Sequence, residues 1–165
     1  TFKHPNSHLT SGGSGTMGYS LPAAMGAQVA CPNKEVWVVV GDGSFQMNLQ
    51  ELITLAQDGI NIKIAILNNS FLGMVRQWQE LFFDKNYSSV ELANPDFLML
   101  AEACGVKGYR VESKNDMKET IKKMRKEKGP VLCDFVVEAE ENVFPMVPSG
   151  KSLSDTITSP KDLHS

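Results

Sequence analysis

At 165 residues, 42% apolar and 21% charged, the chain has the size and composition of one globular domain, which excludes wholesale disorder and collagen-like repeats. Its 16 basic and 19 acidic residues give a net charge of −3. That balance argues against a general nucleic-acid binder, which carries a basic surplus, and no apolar run approaches the roughly 20 residues that a membrane-crossing helix needs.

No charged-then-apolar leader opens the sequence, and a start at Thr1 rather than Met reads as a piece of a longer polypeptide. Tyr19 to Ala30 is rich in small residues and helical in pattern, with Pro22 tolerable in its first turn. Val36–Val40 (VWVVV) is a short continuous apolar run that reads as a strand buried on both faces. Leu49, Leu52, Ile53 and Ala56 then recur at helical spacing, with Gly59 as the stop. Ile62–Leu67 (IKIAIL) reads as a second buried strand, and about Leu72 to Leu81 as a further helix.

Phe83 to Pro95 lacks a period and reads as a loop. Asp96 is placed to cap a helix through Ala103, closed by Gly105, before a weak strand at Val106–Val111. Ser113 caps the next expected helix, where Met117, Ile121 and Met124 keep the period among solvated lysines; Gly129-Pro130 ends it. Val131–Val137 is the last strand, and beyond Glu141 the pattern dissolves into a tail with Pro145, Pro148 and Gly150. Strands alternating with helices predict an α/β fold, a parallel sheet covered on both faces with its strand C-termini along one edge, where ligands bind.

Two segments fall at that edge: Gly41-Asp42-Gly43-Ser44 after the first strand and Asn68-Asn69 after the second. An Asp carboxylate and an Asn amide oxygen are hard ligands of the kind Mg²⁺ prefers. Flanking glycines let backbone N–H groups approach an anion, and Ser44 adds a hydroxyl near a helix N-terminus. Alone, each segment reads as an ordinary turn; their shared placement points to Mg²⁺ with a phosphorylated ligand. Gly13, Gly15 and Gly18 also satisfy the G-x-G-x-x-G dinucleotide fingerprint, but the buried strand that should precede it is missing from residues 3–11. No Walker A sequence is present. Cys31, Cys104 and Cys133 form no C-x-x-C pair and read as small buried hydrophobes in a reducing compartment. His4, His8 and His164 are too scattered for a histidine metal cluster, and Glu51 reads as a first-turn carboxylate that serves its helix.

The stretch GDGSFQMNLQELITLAQDGINIKIAILNN resembles the cofactor motif of thiamine diphosphate enzymes. TSGGSGTMGYSLPAAMGA, LGMVRQWQ and VFPMVPSG are similar to the catalytic subunits of the acetolactate (acetohydroxyacid) synthase group within that family. The resemblance implies a three-layer α/β/α thiamine diphosphate-binding fold over residues 1–140 and a C-terminal tail over 141–165. It implies that Asp42 and Asn69 give side-chain oxygens to Mg²⁺, and Phe71 its backbone carbonyl. Gly43, Ser44, Leu72, Gly73 and Met74 then hold the diphosphate. Gly15 offers its carbonyl to the aminopyrimidine, and Met17 its N–H and a wedging side chain. Met74, Trp78 and Ser149 border the substrate channel.

For the whole enzyme the resemblance implies decarboxylation of pyruvate and its joining to a second 2-oxoacid, pyruvate or 2-oxobutyrate, on the route to valine, leucine and isoleucine. FAD and the cofactor's pyrimidine side belong to domains with no counterpart in this sequence. The pyrimidine-side glutamate comes from a second subunit, so no residue here is assigned a catalytic role and the chain alone is expected to be silent. Further implications are a homodimer or tetramer, a regulatory small subunit, and a bacterial cytoplasmic or eukaryotic organellar location. Three other readings stay open: another thiamine diphosphate-dependent decarboxylase or carboligase, a dinucleotide-binding dehydrogenase domain, and a binding module without turnover. Met17, Met74 and Trp78 also have a plain alternative, as core or interface residues.

Overall fold

A computed structural model describes residues 4–159 and Asp162; His164 lies outside them. Contacts divide the chain into two compact units, one made of the chain up to Ser70 with Ala93–Val137, the other of Phe71–Leu92 with the chain from Glu138 onward.

The first unit is built on a four-stranded, wholly parallel sheet in the order β1-β2-β4-β3, with β1 Val36–Gly41, β2 Ile62–Asn68, β3 Lys107–Val111 and β4 Val131–Val136. The two central strands, β2 and β4, are buried along nearly their whole length, which is why their sequences run apolar without alternation. Lys63 is an exception inside β2, 3% exposed. Its ammonium donates to Asn61 Oδ1 (2.6 Å) and to the carbonyls of Glu127 (2.8 Å) and Gly129 (3.0 Å), which makes burial of a charge tolerable.

One sheet face packs against α1 (Ser20–Ala30), α2 (Asp42–Gln46), α3 (Glu51–Asp58) and α5 (Phe97–Ala103) through Leu21, Phe45, Leu52, Leu55, Ile64, Ile66 and Phe97. The other face packs on α6 (Lys114–Lys126) through Val111, Met124, Val131, Cys133 and Phe135. The result is the three-layer α/β/α arrangement. Local signals act as the sequence reads. Gly59 takes φ +62° to stop α3. Asp96 accepts the N–H groups of Leu98 and Met99 at the start of α5, and Ser113 accepts that of Asn115 at the start of α6.

Several expectations need correction. β1 is an edge strand and is buried on one face only: Val38 and Val40 are in the core, but Val39 is 63% exposed, because α6 packs against β3 and β4. The GDGS segment opens α2 with Gly41 as its N-cap, so Ser44 lies near a helix N-terminus as expected. Of the cysteines only Cys133 is fully buried, and burial pushes its thiol up to about 12; Cys31 is exposed.

The second unit holds α4 (Gly73–Phe82), an irregular segment to Leu92, and the tail. Phe71 bridges Glu91 in antiparallel fashion, and Met146 bridges Ile157. A 3₁₀ turn, Leu153–Asp155, is closed by a reciprocal Ser152–Asp155 capping box. α4 carries two buried polar side chains on successive positions, Arg76 and Gln77. Arg76 donates to Glu80 (2.6 Å), Tyr87 and Asn142, and Gln77 exchanges hydrogen bonds with Val143, N–H to Oε1 at 2.7 Å and Nε2 to the carbonyl at 2.9 Å. The tail is thereby fastened to α4 by polar side chains.

Candidate functional site

The register of β1 on β2 pairs Gly41 with Leu67, so the residues that leave the two strands emerge side by side. Asp42 is 1% exposed. Its Oδ2 accepts the N–H of Ser70 and the side-chain amide of Asn94, both at 2.7 Å, and its Oδ1 accepts the N–H of Gly43 at 2.9 Å. Ser70, at φ +58°, turns the chain just after β2. Asn69 sits half-buried inside that turn, between Asn68 and the residue whose N–H reaches Asp42. The carboxylate and the Asn-Asn pair, distant in sequence, are therefore neighbours.

A second set of contacts ties the glycine-rich segment to α2. Gly18 N–H donates to Ser44 Oγ (2.9 Å), and Asn48 Nδ2 donates to the Gly18 carbonyl (2.8 Å). Gly18 stands at φ +86°, and a Cβ there would fall 2.7 Å from Asn48 Nδ2 and 2.9 Å from Met47 Cβ; only glycine fits this approach. Gly15 is also left-handed, at φ +59°, with its N–H on the Ser11 carbonyl (2.7 Å). Met17 follows with its side chain 42% exposed. Ser44, expected to face a diphosphate, already accepts from Gly18, so its own O–H is what it can still give to an anion. No strand occurs in residues 4–19, so the glycines lack the strand that a dinucleotide fingerprint requires.

The remaining candidates lie in the second unit. Leu72 is the N-cap residue of α4 and donates its N–H to the Val90 carbonyl (2.8 Å), and Gly73 is the first helical residue. The Phe71 ring meets that of Tyr87 edge-on, with centroids 6.4 Å apart. Met74 is 49% exposed on the first turn of α4. Trp78 is half-buried with its ring 4.9 Å from that of Phe82. Ser149 is exposed in a turn that Gly150 completes at φ +76°, and among the described residues no hydrogen bond joins it to α4.

Sequence reading missed Asn94 and Asp134. Asn94 precedes the α5 cap and donates from one Nδ2 to both Asp42 Oδ2 (2.7 Å) and Asn68 Oδ1 (2.9 Å), while its oxygen accepts from Gln46 (2.7 Å). Asp134, 1% exposed on β4, accepts Asn68 Nδ2 on Oδ1 (3.0 Å) and Arg110 Nε on Oδ2 (3.0 Å). Burial opposes the charge of Arg110, but the Asp134 and Asp96 carboxylates outweigh it and hold its pKa above the ordinary value. The available signal was the lone carboxylate in VLCDFVV near a strand's C-terminal end. Asn94, in an aperiodic loop, gave none.

The donor set decides what such a site suits. Among the described residues, no group of three or more His, Cys, Asp or Glu stands together as a metal cage. One buried carboxylate beside amide oxygens is too little negative charge to capture a bare divalent cation, but it fits a hard cation that arrives with anionic oxygens of its own. The residues therefore fit Mg²⁺ bridging to a diphosphate.

A parallel α/β/α domain with these groups at the strand C-termini defines a cofactor-binding domain of the phosphate-recognising kind. Comparison with known proteins sharpens this. The family described as "Thiamine pyrophosphate enzyme, C-terminal TPP binding domain" matches residues 1–135. Acetolactate synthase of Mycobacterium bovis is 50% identical over 157 residues, covering 92% of this chain and 25% of the relative. The mitochondrial acetolactate synthase of Schizosaccharomyces pombe is 49% identical over 153 residues, covering 93% and 23%. Among solved structures, the Rhodococcus jostii RHA1 thiamine diphosphate-dependent 4-hydroxybenzoylformate decarboxylase superposes with a TM-score of 0.71 at 32% identity, over 78% of this chain and 24% of that one. The chain belongs to the thiamine pyrophosphate enzyme family, as its C-terminal TPP-binding domain. It spans about a quarter of the length of the curated relatives it matches.

Proposed function

We propose that this chain is the diphosphate- and Mg²⁺-holding domain of an acetolactate synthase catalytic subunit, in an enzyme that decarboxylates pyruvate and joins the product to pyruvate or 2-oxobutyrate. The observation that carries the reading is the buried Asp42 carboxylate, held by the N–H of the residue after Asn69 at the C-terminal ends of two adjacent parallel strands. Asp42 and Asn69 give side-chain oxygens to Mg²⁺, and Phe71 its carbonyl. Gly43, Ser44 and the Leu72–Met74 backbone bind the diphosphate through N–H and O–H donors, in the manner of helix-start anion sites. Gly15 and Met17 orient the aminopyrimidine ring. Thiamine diphosphate, once bound, supplies the electron sink that decarboxylation requires.

Met74, Trp78 and Ser149 border the path of the 2-oxoacid. The cofactor's pyrimidine side is completed by a second subunit, in a dimer or tetramer, with FAD held elsewhere in the polypeptide and a regulatory subunit as a further partner. The 50% identity to acetolactate synthases favours this reaction over the decarboxylase chemistry of the structural relative at 32%.

Calorimetric titration of the intact enzyme with thiamine diphosphate, with and without Mg²⁺, and with NADH tests the reading. Mg²⁺-dependent thiamine diphosphate binding supports it, and metal-independent NADH binding overturns it. Formation of acetolactate from pyruvate separates it from a simple decarboxylase, which releases the aldehyde.

A further inference from the structure

Asp42 is not held by the strand ends alone. Its Oδ2 takes two hydrogen bonds, from Ser70 N–H and Asn94 Nδ2, both at 2.7 Å, while Oδ1 takes one, from the adjacent Gly43 N–H at 2.9 Å. A carboxylate oxygen with two donors has little lone-pair capacity left, so Oδ1 is the oxygen free to meet a cation. Asn94 makes this division. Its single NH₂ group spends both protons, one on Asp42 Oδ2 and one on Asn68 Oδ1 (2.9 Å), and its carbonyl oxygen is held by Gln46 Nε2 (2.7 Å). The amide cannot rotate without breaking all three contacts. Asn68 is pinned in turn: its Nδ2 donates to Asp134 Oδ1 (3.0 Å), and Asp134 Oδ2 accepts from Arg110 Nε (3.0 Å). Asp42 on α2, Asn94 before α5, Asn68 at the end of β2 and Asp134 on β4 thus form one chain of hydrogen bonds behind the Asn68–Ser70 turn.

We infer that Asn94 is a positioning residue for metal binding: by occupying Asp42 Oδ2 and clamping Asn68, it aims Asp42 Oδ1 and the neighbouring Asn69 at Mg²⁺. The inference rests on the functional reading above and adds to it a residue that touches neither cofactor nor substrate. Hydrogen-bonded partners of metal ligands, as a class, shift metal affinity by about 10- to 100-fold when removed. Asn94→Ala leaves Asp42 Oδ2 held by Ser70 N–H alone and removes the clamp on Asn68 Oδ1. Asn94→Asp keeps the shape but sets a second carboxylate against Oδ2.

The test is a titration of the intact enzyme with Mg²⁺, at a fixed excess of thiamine diphosphate, followed by the quenching of tryptophan fluorescence. The same titration is repeated with Mn²⁺, followed by water-proton relaxation. Both variants are expected to raise the metal concentration at half-saturation about 10- to 100-fold, Asn94→Asp more than Asn94→Ala, with thiamine diphosphate affinity restored at saturating metal. A merely structural role lowers the melting temperature of the metal-free protein and leaves the metal half-saturation unchanged; that result overturns the inference, as does an unchanged half-saturation in a variant that melts normally. If Asn94→Ala does not fold, the isosteric Asn94→Asp decides alone. Asp42→Ala run in parallel separates the two levels. Loss of metal-dependent binding in Asp42→Ala, with none of the shift in the Asn94 variants, sinks only the role of Asn94. Intact metal-dependent binding in Asp42→Ala sinks the site itself.

Discussion

The two compact units of this chain are held by different physics. The parallel-sheet unit contains nearly every fully buried apolar side chain, among them Phe45, Ile64, Ile66, Phe97 and Leu132, each 1% exposed or less. The unit of α4 and the tail contributes Val90 and Ile157 to the buried apolar set, and its largest buried side chain is a charged one, Arg76. Apolar packing is non-directional and cumulative, so the first unit tolerates irregularity at its rim. A polar clamp depends on direction, and removing one partner leaves the others buried without a mate. The sheet unit is therefore a rigid platform for Asp42 and Asn69, while the segments carrying Met74, Trp78 and Ser149 depend on a few specific contacts. Among the described residues each unit carries one buried polar atom without a hydrogen-bond partner, Gln28 Oε1 in the sheet unit and Arg76 Nε in the other.

The largest expected effect falls on the sheet. Ile64→Ala empties a fully buried position in β2 and is expected to cost about 2–5 kcal/mol of global stability, read as a fall in the urea midpoint at unchanged slope. A loss below roughly 1 kcal/mol would show that the apolar layer is not what holds this unit. Next comes Arg76→Ala, which takes the buried guanidinium from Glu80, Tyr87 and Asn142 and is expected to cost about 3 kcal/mol locally. Hydrogen exchange should then quicken at the Val143 amide while the β4 amides keep their protection; equal acceleration in both places would erase the distinction between the units.

Acid sharpens the same contrast. Burial raises the pKa of Glu80, but hydrogen bonds from Asn142 and Arg76 and the Arg76 charge outweigh it and leave it below its ordinary 4.5. A depressed carboxylate stabilises the folded state above its unfolded pKa and loses that contribution as pH falls through the folded one. Tail protection should therefore persist at pH 5 and decline as the pH falls below the ordinary carboxylate range, a loss that is smaller in Arg76→Ala, where only Asn142 and Lys85 still depress Glu80. The smallest effect is at a helix end in the sheet unit: Ser113→Ala removes the cap on Asn115 N–H and is expected to cost about 1 kcal/mol, visible in the thermal midpoint alone.

The sheet unit was the legible one. β2 and β4 announce themselves as continuous apolar runs, and Gly59, Asp96 and Ser113 mark helix ends by chemistry that acts locally. The juxtaposition of Asp42 with the Asn-Asn turn followed from parallel topology alone. What stayed hidden depends on tertiary direction. Asn94 lies in a loop without a period, and only the fold brings its amide to Asp42. Arg76 and Gln77 are polar residues on a helix, and nothing local reveals that a tail more than sixty residues later covers them. The exposure of Val39 was invisible for the same reason, since the order of strands in the sheet, not the strand's own composition, puts β1 at an edge.

In the proposed function, the strand-end oxygens of the sheet unit hold a divalent cation against a diphosphate. A crystal structure of the intact enzyme with Mg²⁺ and thiamine diphosphate bound tests it most directly. Asp42 Oδ1 and the Asn69 side-chain oxygen are expected about 2.1 Å from the metal, with Asn94 still on Asp42 Oδ2. A metal bound elsewhere, or those two side chains turned away from it, would contradict the account.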